Sequence, residues 1–247
     1  MAKAKVVFLG GKSLGYSILA TLLKTERVLL IVTNPSDLDE IRWYPSLREL
    51  AKKHGVTYTT RAIHQLENKI SKLQPDYIVC AYYDKILKKS TLDIPKVGCI
   101  NIHMALSDEY QGCWPTTFPI IDGKDHAGVT IHSMISKVDA GDVYARAKVY
   151  VDSTETGKSL YIKCAEAGAF LFRKRWKNIK SGKLKPRKPV GKSIPVHHKR
   201  SDFPSHKISL SWRKDKIDKY VRALTFPPFP RPYFIYKGKK FEIDYRG

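Results

Sequence analysis

The first part of the chain alternates short, nearly continuous apolar runs with segments of helical periodicity. Five runs have the length of β-strands: Lys5–Leu9, Val28–Thr33, Val56–Thr60, Asp76–Ala81 and Val97–His103. Segments between them carry apolar side chains at helical spacing: Leu14–Lys24, Ser46–His54 and Ile63–Leu73. Near-continuous apolar strands alternating with helices are typical of a parallel sheet covered on both sides. The pattern therefore predicts an α/β fold with a mainly parallel sheet.

The pattern changes after the fifth apolar run. Gly128–Ser136 and Asp142–Val151 favour two strands, with a turn at Asp139–Gly141 between them. Their proximity predicts a hairpin-like pair added to the parallel strands. Thr154–Ile179 then predicts one long helix, which begins at a threonine or serine cap and carries an apolar stripe.

The C-terminal part is expected to be a short appendage. Gly182–Pro204 forms a basic connector, and a helix is predicted from Lys214. A β-hairpin is predicted over Phe234–Tyr236 and Lys240–Ile243. We place the division so that residues 1–195 form the main domain and residues 196–247 a small subdomain. The subdomain is too short for an independent core of normal stability, so we expect it to pack on the main domain.

Composition excludes a membrane-spanning class and favours a cytoplasmic protein. Hydrophobic residues make up 43% of the 247 residues, yet no apolar run approaches the ~20 residues that a membrane helix needs. The apolar run Val6–Leu9 near the start is too short for a signal peptide and is a first strand instead. The four cysteines lack metal-binding spacing, so we expect free thiols and no metal.

The formal net charge of +22 points to a polyanionic partner. No acidic residue lies between Glu166 and Asp202, although lysine and arginine are frequent there. Nucleic acid, a nucleotide diphosphate and a polyglutamylated cofactor all fit, and a solvated lysine-rich surface is the simpler alternative. We do not favour nucleic acid, because only Trp176 is interleaved with these charges and no recognition motif is present.

The candidate chemistry lies at the end of the fifth apolar run. Asn101 and His103 are two residues apart, so in a strand their side chains project to one face. Asp139, beside a glycine-containing turn, supplies a carboxylate that can orient the imidazole. An amide that stabilises an oxyanion and an imidazole that moves protons suit the transfer of an acyl group to an amine.

Several further elements follow Asn101-x-His103 in order and at close spacing: Tyr110-x-Gly112, Pro115, the GVTIH segment ending at His132, and the D-x-G-D run Asp139–Asp142. Together they resemble the signature of the folate-dependent formyltransferases, over about residues 1–180. The resemblance implies a Rossmann-like formyltransferase fold and 10-formyltetrahydrofolate as cosubstrate. It assigns catalytic roles to Asn101, His103 and Asp139, with Asp142 as the alternative carboxylate.

The same resemblance suggests further contacts. The segment after the fourth apolar run is similar to the family's pterin-pocket segment, which makes Tyr82, Tyr83, Ile86 and Leu87 candidates for folate binding. Thr130 and His132 are candidates for a supporting place behind the folate site. The glycine-containing turn before the first helix can receive an anion, and its residues Gly10, Gly11, Lys12 and Ser13 are candidate substrate contacts. A tight turn or an ordinary core contact is an almost equally good interpretation of each segment.

The choice among branches of the family depends on two regions. One is the loop Met104–Gly112, which we call the catalytic loop, and the other is the C-terminal tail. Branches acting on transfer RNA usually carry S-L-L-P-R and Y/W-R-G in the loop, where this chain has Ala105, Ser107, Asp108 and Gln111. The tail is also too short for the C-terminal barrel of that branch. The net positive charge, in contrast, favours a transfer-RNA substrate. The purine-pathway branch lacks a tail of this kind.

The branch that formylates nucleotide-linked amino sugars fits best in loop and tail. Candidate substrate contacts are Tyr110 and Gln111 of the loop and Phe226 and Phe229 of the tail. The aromatic pair can stack on a base, and an equally good interpretation is that it only packs the tail onto the main domain. We therefore predict N-formylation of a dTDP-linked 4-amino-4,6-dideoxy sugar for O-antigen or similar surface-polysaccharide synthesis. A methionyl-tRNA formyltransferase-like enzyme and a non-catalytic basic binding protein on the same scaffold are the alternatives. A homodimer is one alternative for the oligomeric state, and the aromatic tail and the strand around Val143 are candidate surfaces for it.

Overall fold

A computed structural model describes residues 2–38, 43–189 and 194–245. The strands of the main sheet are β1 (Lys5–Gly10), β2 (Arg27–Thr33), β3 (Tyr58–Thr59), β4 (Tyr77–Ala81), β5 (Gly98–His103), β7 (His126–Ser133) and β8 (Val143–Tyr150). Their order is β3-β2-β1-β4-β5-β7-β8. The first five pair in parallel, and β7 and β8 add antiparallel strands to one side. The predicted α/β fold with a mainly parallel sheet is confirmed.

The helices are α1 (Lys12–Thr25), α2 (Leu47–Lys53), α3 (Glu67–Leu73), α4 (Lys89–Leu92), α5 (Phe118–Ile121), α6 (Gly157–Lys180) and α7 (Lys214–Leu224). Apolar side chains of α1, α2 and α6 pack on one face of the sheet, for example Ile18, Leu50 and Phe172. Ile63 and Ile70 cover the other face, against Val7 and Leu30. Burial on both faces explains why these strands are apolar at consecutive positions.

Two helix boundaries differ from the sequence-based prediction. The segment Ile63–Leu73 is not one helix, because a short 3₁₀ turn at Ile63–Gln65 ends at Leu66 before α3 begins. The long helix starts at Gly157 rather than at Thr154. Its cap is Thr156, whose hydroxyl accepts from the Ser159 N–H at 3.1 Å while the Ser159 hydroxyl accepts from the Thr156 N–H.

The region after α6 is more ordered than a plain connector. It contains the strand β9 (Val196–His198) and a 3₁₀ turn at Arg200–Asp202. Strand β9 pairs in parallel with β6 (Tyr110–Gly112), which belongs to the catalytic loop. The predicted connector between residues 182 and 204 is therefore corrected to a segment that returns to the main domain.

The predicted C-terminal helix and hairpin are present as α7, β10 (Tyr233–Tyr236) and β11 (Lys239–Glu242). Ala223 of α7 belongs to the same apolar cluster as the sheet, and Val221 and Leu224 form a small cluster with Ile208. This packing agrees with the expected dependence of the tail on the main domain. The division at residue 195 stays a prediction.

In the part of the chain that the structure describes, no helix has the length and apolar character needed to cross a membrane.

Candidate active site

Strand β5 brings Asn101 and His103 to the carboxyl-terminal end of the sheet. Asn101 lies opposite Cys80 of β4 and opposite His132 of β7, and His103 lies opposite Thr130. His103 is buried, with 7% of its surface exposed, and its Nε2 atom has no hydrogen-bond partner among the described residues. A buried imidazole nitrogen without a partner is free to exchange a proton with a bound reactant.

Asp139 closes the group from the loop between β7 and β8. Its Oδ2 atom accepts a hydrogen bond from the Gly112 N–H at 2.9 Å and lies 3.6 Å from Nδ1 of His103. Its Oδ1 atom accepts from Nδ2 of Asn101 at 3.2 Å. The backbone of Asp139 has φ = +50°, a costly conformation for a residue other than glycine. The structure thus brings the three predicted catalytic residues together.

Electrostatics in this group favour a neutral imidazole beside an ionised carboxylate. Burial lowers the pKa of His103, and the neighbouring His132 lowers it further, whereas Asp139 acts in the opposite direction. Burial alone would raise the pKa of Asp139. The two histidines and the Gly112 N–H outweigh that effect and hold the pKa of Asp139 well below its ordinary value. A neutral His103 can act as a base without first losing a proton.

The amide of Asn101 is held by two neighbours. Besides Asp139, its Nδ2 atom contacts Nε2 of His132 at 3.3 Å. Nδ1 of His132 lies 2.8 Å from the Ser133 carbonyl oxygen, an arrangement in which Nδ1 donates and Nε2 accepts. Nδ2 of Asn101 therefore lies within hydrogen-bond distance of both Asp139 and His132, and Nε2 of His132 itself lies 3.4 Å from Oδ1 of Asp139.

Thr130 and His132 lie behind Asn101, His103 and Asp139, the three residues that we call the catalytic group. The Thr130 hydroxyl donates to the Ala105 carbonyl at 2.7 Å and accepts from the Ser107 N–H at 3.1 Å. Both residues have about 1% of their surface exposed. Thr130 contacts the backbone of the catalytic loop, and His132 contacts the Asn101 amide. A direct contact with folate stays a prediction.

Tyr110 and Gln111 are turned into the protein. The Tyr110 hydroxyl donates to Asp122 at 2.5 Å, and Nε2 of Gln111 donates to the Ser107 carbonyl at 3.0 Å. Both side chains are buried. These contacts shape the loop that carries the site, and a substrate contact by either side chain stays a prediction. Gly112 next to them needs its φ of +83°, and a Cβ there would lie 2.3 Å from the His198 carbonyl oxygen.

The turn before α1 borders the site. Gly10 and Gly11 lead from β1 into α1, and the Gly11 N–H donates to the carbonyl of Ala81 at the end of β4. Lys12, with φ = +56°, places its Nζ 3.1 Å from the Tyr82 hydroxyl. Of the predicted anion contacts, Lys12 is thus brought to the edge where the strands end, and Ser13 follows it in the first turn of α1.

The Lys12 ammonium is surrounded by aromatic rings. It lies 4.5 Å from the ring centre of Tyr82, 5.7 Å from that of Trp43 and 6.0 Å from that of Phe229. Phe226 packs edge-on against Trp43, with 4.9 Å between ring centres. Phe229 stays 47% exposed, whereas Phe226 is partly buried against the main core. Only Phe229 of the predicted aromatic pair therefore presents a largely open surface.

The predicted folate segment is divided between core and surface. Leu87 is buried, and Tyr83 packs beside it while its hydroxyl accepts from the Ile63 N–H at 3.1 Å. Burial raises the pKa of Tyr83 to about 12. Ile86 is 73% exposed. Folate contacts by these residues stay predictions, and Ile86 is the side chain among them that is most available.

Sequence reasoning missed two contributors to the site. Trp43 lies in a stretch without a periodic pattern, and only contact with Lys12 and the tail reveals its place. The strand β9 carries His197 and His198 to the catalytic loop. The two adjacent histidines were a visible signal within the basic connector, but no spacing connects them to residue 111 or 112. No cluster of His, Cys, Asp or Glu in the described ranges forms a candidate metal site.

Comparison with known proteins identifies the family. The sequence profile of the Formyl transferase family matches residues 4–174. The chain is 32% identical over 246 residues to a methionyl-tRNA formyltransferase of Bacillus velezensis, covering 97% of this chain and 77% of the relative. A methionyl-tRNA formyltransferase of Bacillus subtilis is 30% identical with the same coverage.

Solved structures show the same fold at low sequence identity. An N-formyltransferase from Helicobacter canadensis, solved with folinic acid and dTDP-3-aminofucose, aligns with a TM-score of 0.81 at 21% identity, covering 97% of this chain and 86% of that one. A 4-N formyltransferase from Francisella tularensis aligns with a TM-score of 0.79 at 22% identity, covering 97% and 96%. With the profile matching more than half of its residues, this chain belongs to the formyltransferase family and is a formyltransferase enzyme.

Proposed function

We propose that the enzyme transfers the formyl group of 10-formyltetrahydrofolate to the amine of a dTDP-linked 4-amino-4,6-dideoxy sugar, for O-antigen or similar surface-polysaccharide synthesis. The observation that carries the proposal is the Lys12 ammonium among the rings of Trp43, Tyr82 and Phe229, at the edge where β5 delivers His103. An ammonium beside a half-exposed aromatic ring suits a nucleotide, since the cation meets phosphate oxygens and the ring stacks on a base.

The catalytic group supplies the chemistry in this proposal. The amine attacks the formyl carbon, and Nε2 of His103 takes the proton that the nitrogen loses. Asn101 donates an N–H to the oxyanion from its Nδ2 atom, which also lies near Asp139 and His132. As the carbon–nitrogen bond to the folate breaks, His103 returns the proton to the departing nitrogen. Asp139, 3.6 Å from Nδ1, stabilises the imidazolium between these steps.

The folate donor is supported by relatives of known structure. The Helicobacter canadensis enzyme was solved with folinic acid, and the related sugar 3N-formyltransferase WlaRD with 5-N-formyl-THF. Both were also solved with a dTDP ligand, as dTDP-3-aminofucose or dTDP. We extend both ligand classes to this chain as part of the proposal.

A second candidate acceptor is methionyl-tRNA. It is favoured by the 32% identity to the Bacillus velezensis enzyme over 97% of this chain and by the net charge of +22. The departures at Ala105, Ser107, Asp108 and Gln111 argue against it. The third alternative, a basic binding protein without activity, is set aside because the chain belongs to the formyltransferase family and Asn101, His103 and Asp139 lie together.

The test is formation of the product. Purified enzyme is mixed with 10-formyltetrahydrofolate and either dTDP-4-amino-4,6-dideoxyglucose or a dTDP-linked 3-amino sugar, and the sugar is analysed by mass spectrometry. The proposal expects a formamide on the 4-amino sugar. A formylated 3-amino sugar alone would correct the position of the amine. Formylation of initiator methionyl-tRNA with neither sugar modified would replace the proposal by its alternative.

A further inference from the structure

Strand β9 returns the C-terminal part of the chain to the catalytic loop. The register places His197 opposite Gln111 and His198 opposite Gly112. Main-chain hydrogen bonds continue on both sides, from Val196 N–H to the Glu109 carbonyl at 2.9 Å and from Cys113 N–H to the His198 carbonyl at 2.8 Å. The position of this strand over the loop is therefore fixed by the backbone and not by a few surface side chains.

The His197 imidazole lies beside the catalytic group. A Cβ added to Gly112 would meet Cε1 of His197 at 3.2 Å and Nε2 at 3.3 Å. The N–H of the same Gly112 donates to Asp139. His197 also contributes, after burial and His132, to the lowered pKa of His103. The exposed imidazole of His197 is thus separated from the Asp139 carboxylate only by Gly112.

The residues after His197 extend a positive surface away from that point. We call His197–Arg200 the basic segment; all four of its residues are basic. Lys199 and Arg200 are exposed, and Nε1 of Trp114 anchors the turn by donating to the Arg200 carbonyl at 3.2 Å. The segment therefore starts at the catalytic loop and runs along its rim.

Carboxylates compensate this charge only in part. Asp84 lies 3.9 Å from the Arg200 guanidinium and also 3.6 Å from Lys85. Asp202 accepts from the main-chain N–H of Lys199 at 2.8 Å and lies 4.0 Å from His198. Among residues 2–38, 43–189 and 194–245, no carboxylate pairs with the side chain of His197 or Lys199. The Lys199 ammonium thus has no carboxylate partner among these residues, and a cation without a counter-charge attracts anions.

We infer that the basic segment is the anion-binding side of the active site, with His197, Lys199 and Arg200 contacting a phosphate or carboxylate group of a bound substrate. The inference rests on the proposed acyl-transfer site, but the anion has two sources: the pyrophosphate of a nucleotide sugar or the glutamate carboxylates of the folate. His197 lies nearest the catalytic group of these three residues, so its contact would position whichever reactant carries the anion relative to His103.

The experiment compares charge removal at this segment with equal removal elsewhere. Lys199→Ala/Arg200→Ala and His197→Ala are the test variants. Lys69→Ala/Lys72→Ala is the control, since both lysines are exposed on α3, which ends just before β4 begins at the opposite edge of the sheet. Titration calorimetry measures the dissociation constants for two separate probes, dTDP and folinic acid, and thermal melting verifies folding.

The expected result is at least about tenfold weaker binding of one probe by Lys199→Ala/Arg200→Ala, with the control unchanged. Higher salt should reduce the difference between wild type and variant. His197→Ala should raise the KM for the reactant whose probe responds, acceptor or folate, more than it lowers kcat. The probe that responds identifies the source of the anion.

The outcomes separate this inference from the proposed function. One outcome is that the test variants bind folinic acid more weakly than wild type does, while dTDP binds neither wild type nor the variants. The nucleotide-sugar proposal then fails and the basic segment keeps its role. If wild-type enzyme formylates the sugar and both test variants match the control for both probes, the inference is overturned and the proposed function stands. A wild-type enzyme that binds neither probe overturns both.

Discussion

The catalytic group and the surface around Lys12 are neighbours that are built in opposite ways. Asn101, His103 and Asp139 come from one strand and one adjoining loop, are largely enclosed, and contact one another directly. The surface around Lys12 gathers Trp43, Tyr82 and Phe229 from three distant parts of the chain, and Phe229 is 47% exposed. The enclosed group can determine which reaction takes place. Substitutions on the open surface around Lys12 can change which substrate binds without altering that reaction.

The largest effect is expected from removing the base. His103→Ala should lower kcat by about 10²–10⁴-fold, because it removes the buried Nε2 atom proposed to take the proton of the amine. Binding of dTDP and folinic acid, measured by calorimetry, should stay within a few-fold of wild type. The exposed His54→Ala at the end of α2 is the control. Retained turnover in His103→Ala would show that another residue is the base.

The carboxylate is the next test, and the chain offers a matched pair. Asp139→Asn should lower kcat by about a hundredfold or more, because the imidazolium loses its stabilising charge. The amide NH2 also cannot accept, so one of the hydrogen bonds from the Gly112 N–H and Asn101 Nδ2 is lost. Asp142→Asn should keep most activity, since the Asp142 contacts seen here are made by its main-chain carbonyl to Ser133. Equal losses in steady-state kcat for both variants would contradict the assignment of Asp139.

The open surface should respond in binding and not in chemistry. Phe229→Ala should raise the KM for the acceptor by about tenfold with kcat nearly unchanged, since stacking on a base contributes about 1–3 kcal/mol. Phe241→Ala is the matched control, because Phe241 is 43% exposed but stacks on Phe234 in the hairpin. A Phe229→Ala variant with wild-type KM would limit Phe229 to packing on Lys12 and Trp43.

The smallest effect concerns stability in acid. The pKa of Asp139 is lowered by folding, so its contribution is fully present above the unfolded value of about 3.9 and is lost as the pH falls through the folded-state value. Thermal melting from pH 6 downward should therefore show a shallower loss of stability for Asp139→Asn than for wild type. If the melting temperatures of wild type and Asp139→Asn fall in parallel with pH, the histidine and Gly112 contacts of Asp139 do not stabilise the folded protein.

These regions also differ in how well the sequence predicts them. The sheet was predictable because β1, β4 and β5 are apolar on both faces, and Asn101 and His103 followed from strand alternation. The aromatic surroundings of Lys12 were not predictable from the sequence. Trp43 lies outside the helices and strands, and it contacts Phe226 of the tail, which is distant in the sequence.

Loop side chains were the least predictable part of the site. Gln111 is polar and adjacent to the active site, yet it is 6% exposed because its amide bonds the Ser107 carbonyl within the same loop. Strand β9 is a similar case, since a three-residue strand in a basic segment has no periodic signal of its own. Its pairing with β6 depends on the Gly112 backbone, which leaves no room for a Cβ against the His198 carbonyl.

The most direct test of the account compares two acceptors in one enzyme. With 10-formyltetrahydrofolate fixed, kcat/KM is measured for dTDP-4-amino-4,6-dideoxyglucose and for initiator methionyl-tRNA, in wild type and in Phe229→Ala. The account predicts a large preference for the nucleotide sugar in wild type, and a reduced preference in the variant through KM. A preference for methionyl-tRNA that Phe229→Ala leaves unchanged would contradict it.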